Sequence, residues 1–458
     1  MSGFSISRRL ALQHEGKDGF VGLGFHPMDL RDRLKMLTSI SKADSKGDEE
    51  SKEERIRALR QQLERVLEPR KVYRRRETIP IEELVPGRVV STAHGETFLY
   101  ETTLPSDFRC GEMDLCQILN IPTYPAHLLA RDERLKALDL RRALFLDTET
   151  TGLTGGTGTV AFMVGLGFFE GEGFTVHQLF MRDYSEERAL LSLLQELLRR
   201  FEFLVTFNGR YYDVPLLETR CILSRVQTRI TEMPHFDLLP PSRKIWKGAY
   251  ENCRLVTLES KLLGMGREDD IPSEWIPYLY FDYIQSGDAR KIHRIFYHNR
   301  MDILAMVGLV GRIHLVYHDP EAARPRKGVE HFALGRLFWD HGFFDKAIVA
   351  FETALNRCDD DLAWEAMRWL SMAFKKTGQK DRAKRLWEEM LTWPNKKDAF
   401  PFVELAKYWE HRLKDVEKAL EYVERALMET PSHQTKEMEL LLHRKQRLEE
   451  KRLVRTRA

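Results

Sequence analysis

The sequence predicts an α/β domain on a mixed sheet, a three-strand antiparallel meander plus one parallel strand with flanking helices. A C-terminal all-α domain of helical repeats follows. Two observations carry this reading. Between Ala143 and His314, short β-prone runs are followed by a helix with its leucines on one face. After Glu321 the pattern is purely helical and recurs, with alanines at 347, 383 and 419 spaced by 36 residues each time.

Composition sets the bounds. A chain of 458 residues has room for two or three domains with substantial cores. Apolar residues at 43% and charged residues at 31% suit a globular protein rather than a disordered one. A formal net charge of +2 argues against a uniformly basic nucleic-acid binder and leaves room for a local basic track. No uninterrupted apolar run approaches the roughly 20 residues of a membrane helix, and the N-terminus lacks the apolar core of a signal peptide. The cysteines at 110, 116, 221, 253 and 358 are scattered and form no Cys-x-x-Cys pair. That pattern fits reduced thiols, excludes an obvious zinc site and makes the expected location cytoplasmic.

In chain order, residues 1–76 read as a mobile N-terminal region, with Ser41 to Glu54 entirely charged or small. Leu59, Leu63, Val66 and Leu67 follow at helical spacing, then a basic cluster, Arg70, Lys71, Arg74, Arg75 and Arg76. Residues 77–140 read as a small β-containing preface, with prolines and glycines between short runs such as Arg88 to Thr92. Residues 141–318 form the α/β domain, with strands expected at 143–147, 160–167, 174–180 and 203–207 and a helix over 186–200. The first three strands lie too close together for helical crossovers, which makes them a meander. The fourth follows a helix and can return parallel to the first. The glycines from Gly152 to Gly158 are not a phosphate loop, because no Gly-Lys-Ser/Thr follows and the chain runs on into a strand. Residues 327–434 hold three repeats that resemble the tetratricopeptide pattern, and 435–458 form a capping helix with a basic tail.

The chemistry sits in the α/β region. Leu144-Phe145-Leu146-Asp147-Thr148-Glu149 is an apolar strand that ends in two acids at i and i+2, hence on one face. Two such anions call for a cation or a proton between them, although solvated acids at a strand end read the same way. Asp213 follows an Asn208-Gly209 turn and precedes Pro215, the setting of an ordinary helix cap. His298 and Asp302 are four apart on a predicted helix and share a face, as many surface pairs do.

Taken together, these pieces resemble the DEDD exonuclease superfamily of the RNase H-like fold, and the YprB-type RNase H-like domains most closely. The first motif corresponds to Asp147-Thr148-Glu149-Thr150 with Gly152-Leu153. The second corresponds to Asn208-Gly209 with Asp213-Val214-Pro215-Leu216-Leu217, and the third to Asp302-Ile303-Leu304. Gly155 to Gly158 and His235-Phe236-Asp237-Leu238 also look YprB-like. The likeness spans about 80–315. It implies two Mg²⁺ or Mn²⁺ ions held by Asp147, Glu149, Asp213 and Asp302, with Asp147 bridging both, and 3′→5′ removal of nucleotides from DNA or RNA. The superfamily places His five residues before the last Asp, or Tyr four before it. This chain has Tyr297 at five and His298 at four. Helical geometry puts His298 on the Asp302 face and turns Tyr297 about 140° away, so His298 is the expected base and Tyr297 the alternative.

Other residues carry weaker signals. Thr150 and Asn208 are candidate substrate contacts, although an Asn-Gly turn explains Asn208 equally well. Asp237 reads as a cap for the helix after it. Trp275, Tyr278, Tyr280 and Tyr283 could stack on unpaired bases or pack in the core; Arg243, Lys244 and Lys247 could meet phosphate or water. The repeats imply a protein partner. Against a nuclease stand two rival readings: a non-catalytic nucleic-acid-binding adaptor, and a scaffold whose main part is its repeats.

Overall fold

The computed structural model describes residues 78–152, 158–393, 396, 398–430 and 435–457. The N-terminal helix and basic cluster read from the sequence, and the centre of the glycine-rich turn, lie outside the described residues.

Seven strands form one sheet: β1 (Arg88–Thr92), β2 (Gly95–Leu104), β3 (Ala143–Thr150), β4 (Ala161–Glu170), β5 (Gly173–Phe180), β6 (Phe203–Thr206) and β7 (His235–Asp237). Their spatial order is β1-β2-β5-β4-β3-β6-β7. β3, β4 and β5 form the expected antiparallel meander, and β6 runs parallel to β3. The sheet is wider than the sequence suggested. β2 pairs antiparallel with β5, so the 77–140 stretch supplies one edge, and β7 adds a second parallel strand beyond β6. A three-residue strand is too short to show a period, and nothing local in β2 says which strand it pairs with.

Both faces of the sheet are covered. Along β3, Ala143 and Phe145 join one core while Leu144 and Leu146 join the other, which is why the run is continuously apolar rather than alternating. On the Leu144 side lie α1 (Glu187–Leu198), through Leu190, Leu191 and Leu194, and α2 (Asp213–Leu223), through Val214 and Leu217. The Phe145 side holds α3 (Leu239–Trp246), through Ile245 and Trp246. Helix α4 (Ile276–Ser286) buries Tyr280 and Tyr283 in the Leu144 core, with Tyr280 stacked on Phe162 at 4.0 Å. Those two aromatics are therefore core. Tyr278 is exposed.

Helix α5 (Arg294–His318) crosses the Phe145 face, burying Ile303, Leu304, Met306 and Val307. It is long and apolar enough to cross a membrane by length and composition, yet most of its apolar stretch is buried inside the protein, as in a core helix. Its close approach depends on β4. A side chain at Gly165 would overlap Asn299, and one at Gly167 would overlap Ile303.

The same core continues through Tyr317 into Leu334 and Phe338 of α6 (Gly328–Asp340). Helices α6 and α7 (Phe344–Leu355), α8 (Asp360–Lys376) and α9 (Lys380–Met390), and α10 (Phe400–Tyr408) and α11 (Val416–Glu429) follow as pairs. Ala347, Ala383 and Ala419, one in the second helix of each pair, are fully buried. A left-handed turn residue recurs at Gly342, Gly378 and Lys414. The last helix, α12 (Thr435–Arg457), docks through Arg444, Arg447 and Lys451 onto the buried Glu410.

Candidate active site

Alternation along β3 places Asp147 and Glu149 on the same face as Phe145, the face that α5 crosses. Helix α5 brings His298, Asn299 and Asp302 over them. Asn299 Nδ2 donates to Asp147 Oδ2 at 2.9 Å, and Asn299 Oδ1 accepts from Gln178 Nε2 at 3.0 Å. Glu149, His298 and Asp302 each offer a ligand atom within 4.8 Å of the others. His298 Nε2 lies 3.3 Å from Asp302 Oδ2. Glu149 Oε1 is buried and has no hydrogen-bond partner among the described residues.

Asp213 arrives from the other side. It is the first residue of α2 rather than its cap, since the helix includes it; its carboxylate accepts from Thr148 Oγ1 at 2.5 Å. The turn before it is fixed by Asp237. That buried carboxylate accepts the N–H groups of Asn208 (2.8 Å), Arg210 (3.1 Å) and Leu239 (3.0 Å), so from the residue before the cap position it satisfies the first N–H of α3 and ties down the β6–α2 turn together. Asn208 sits there with φ +66°. Thr150 Oγ1 donates to the Gly152 carbonyl at 2.7 Å, within its own turn. Tyr297 points elsewhere, its hydroxyl accepting the Glu268 N–H at 3.3 Å, while His298 is the aromatic side chain set against the acids.

The electrostatics match a site built for cations. Burial, then the charges of Asp302 and Asp213, push the Asp147 carboxyl well above the usual range. Burial and the neighbouring acids do the same to Glu149. Burial raises Asp213 to about 6. Buried anions of one sign, one with an unpartnered oxygen, are the donor set that a hard divalent ion satisfies.

A family model of the RNase_H superfamily matches residues 144–314, the segment that carries all of these acids. Over 320 residues, covering 69% of this chain and 76% of the relative, the sequence is 34% identical to "Uncharacterized protein YprB" of Bacillus subtilis (strain 168). The chain belongs to the YprB family. Its RNase_H-superfamily domain supports nucleic-acid hydrolysis of the nuclease type.

This YprB-family site holds residues that the sequence did not single out. Arg267 is half-buried, with its side chain enclosed, and donates to Asp302 Oδ1 at 2.5 Å, to Glu259 at 2.5–3.0 Å and to Asp270 Oδ2 at 3.0 Å. Glu259, itself buried, opens a π-turn over Glu259–Leu263, a local irregularity common at functional sites. His298 Nδ1 lies 2.9 and 3.0 Å from the two oxygens of Asp270. Arg267-Glu268-Asp269-Asp270 gave one signal, a cluster of charge, and a solvated loop has the same composition. Arg243, Lys244 and Lys247 are all exposed, and Lys244 reaches the Leu129 carbonyl at 3.5 Å.

Asn299 and Gly165 yield a test of how Asp147 is held. Gly165→Ala is expected to displace Asn299 from Asp147, destabilise the protein by about 1–3 kcal/mol through overpacking, and cut catalysis about 10²-fold through misplacement. Adding Asn299→Ala should restore the stability without the activity. Denaturant melts and turnover assays on the single and double variants check this; if Gly165→Ala keeps full activity, Asn299 does not position Asp147.

Proposed function

We propose that the protein hydrolyses phosphodiester bonds of DNA or RNA as a metal-dependent 3′→5′ exonuclease, using two divalent ions. The observation that supports this reading is the meeting of Glu149, His298 and Asp302 ligand atoms within 4.8 Å of one another, with Asp147 and Asp213 near enough to act electrostatically on the buried Glu149, whose Oε1 has no partner among the described residues. Asp147, Glu149, Asp213 and Asp302 would hold Mg²⁺ or Mn²⁺ through oxygen. Bound there, such ions polarise a phosphoryl oxygen, make water a stronger nucleophile and offset charge on the leaving oxygen. The protein's own part is geometric and protonic. Asn299 orients Asp147, Thr148 orients Asp213, and His298 takes the proton of the attacking water through Nε2. As the new O–P bond forms, the ester bond to the departing nucleotide breaks. The 3′→5′ direction rests on the family resemblance.

The C-terminal helix pairs we read as tetratricopeptide-like, from the 36-residue spacing and the buried alanines, and as a docking module for a protein partner. A second reading is a catalytically weak nucleic-acid-binding adaptor or scaffold. One observation favours it: Arg267 already gives Asp302 a cation. Release of mononucleotides from a labelled oligonucleotide with Mn²⁺, abolished in Asp147→Ala, decides for the nuclease. Oligonucleotide binding without degradation in either metal decides for the adaptor.

A further inference from the structure

We infer that Asp270 is a positioning residue for His298, and that Arg267 holds Asp270 in place for it. The inference rests on the nuclease reading for its catalytic consequence, but its structural part stands apart. Both oxygens of Asp270 lie within 3.0 Å of His298 Nδ1, and one also accepts from Arg267 Nη1 at 3.0 Å. Arg267 Nη1 also lies 3.4 Å from Nδ1, but its shorter bond at 3.0 Å is to Asp270; a carboxylate so bound can only accept, so Nδ1 carries the hydrogen of its contact with Asp270. In neutral imidazole the lone pair is then left on Nε2.

Nε2 faces Asp302 Oδ2 at 3.3 Å and Ser273 Oγ at 3.4 Å, on the side of the acids. That is the orientation a proton acceptor needs, and the ring is 6% exposed, so packing allows it little freedom. Arg267 adds the registration. One guanidinium joins Asp270, behind the imidazole, to Asp302, in front of it, and is braced from below by the buried Glu259. The ring is thus fixed between two carboxylates tied to one cation. The same loop supplies both Arg267 and Asp270, three residues apart, so one backbone segment sets both.

The test compares Asp270→Asn and Asp270→Glu with the full-length wild type. Three readouts are taken: turnover on a labelled oligonucleotide with Mn²⁺, Mn²⁺ affinity by electron paramagnetic resonance, and the ¹⁵N shifts of His298 in metal-free protein at pH 9. Asp270→Asn is expected to lower kcat by about 10²–10⁴-fold, the range of general-base catalysis. Its Mn²⁺ affinity should stay within about threefold, and the His298 hydrogen should move toward Nε2. Asp270→Glu should restore the Nδ1–H tautomer and part of the rate. Unchanged kcat with an unchanged tautomer in Asp270→Asn overturns the inference, as does a loss of rate matched by an equal loss of Mn²⁺ affinity. A wild type that hydrolyses nothing refutes the nuclease reading instead; the ¹⁵N shifts then decide the orienting role of Asp270 alone.

Discussion

Asp147→Asn is expected to abolish most hydrolysis while making the metal-free protein more stable. Asp147 is half-buried among like charges, with desolvation and the charges of Asp302 and Asp213 raising its pKa, and it takes a hydrogen bond from Asn299. An amide keeps the shape and can still offer its oxygen to Asn299 Nδ2, but it removes a desolvated negative charge. The repulsion of position 147 with Glu149, Asp213 and Asp302 is removed, and Tm should rise by about 2–4 °C for each kcal/mol so relieved. The same charge is what holds divalent ions. Loss of several kcal/mol of transition-state charge stabilisation corresponds to a rate about 10³-fold lower. Calorimetry in EDTA and turnover in Mn²⁺ on one preparation check both halves. A variant less stable than wild type in EDTA would mean that Asp147 is satisfied by the protein alone.

The second large effect links pH, metal and stability. Asp213 has its pKa raised by burial from 3.8 to about 6. Below about pH 3.8 folded and unfolded chains both hold this proton, and the contribution to stability is fully present. It is lost as pH rises through about 6, and a shift of about two pH units removes about 3 kcal/mol. Asp147 and Glu149 act in the same direction. So does His298: burial lowers its pKa, but Asp270 and Asp302 outweigh that and hold it above the usual range, so its contribution also fades as pH rises. The metal-free Tm is therefore expected to fall between pH 5 and pH 8. Mn²⁺ needs the acids deprotonated, so the Tm increment at saturating Mn²⁺ should be larger at pH 8 than at pH 5.5. Melting curves in EDTA and in Mn²⁺ across this range measure it. An increment independent of pH would place the ions away from these carboxylates.

How much of this could be read from the sequence varied with the physics involved. β3 was legible because an apolar run ending in Asp147 and Glu149 has both a length and a parity. The meander was legible because 143–180 leaves no room for crossovers. The 36-residue spacing showed the helical pairs. β7, at three residues, was below the length at which a pattern exists, and the pairing of β2 with β5 depends on contacts made across about 80 residues of chain (Phe98 with Phe180). In the site, helical spacing put His298 and Asp302 on one face, and the family resemblance singled them out. Asn299, Gly165 and Arg267 could not. Asn299 matters because of a bond to a residue 152 positions away, and Gly165 because of the space it leaves. Arg267 looks like any charged loop residue until the fold buries it against Asp302. For Asp213 the plain alternative, a helix cap, does not hold, since it is a first-turn residue; a Pro two residues on suits a cap and a first-turn acid alike.

A crystal soaked in Mn²⁺ and recorded near the manganese absorption edge tests the central claim most directly. Two anomalous peaks within bonding distance of Asp147, Glu149, Asp213 and Asp302 oxygens are the predicted result. No peak at those carboxylates, with Arg267 still seated on Asp302 and Glu149 still buried without a partner, would contradict it.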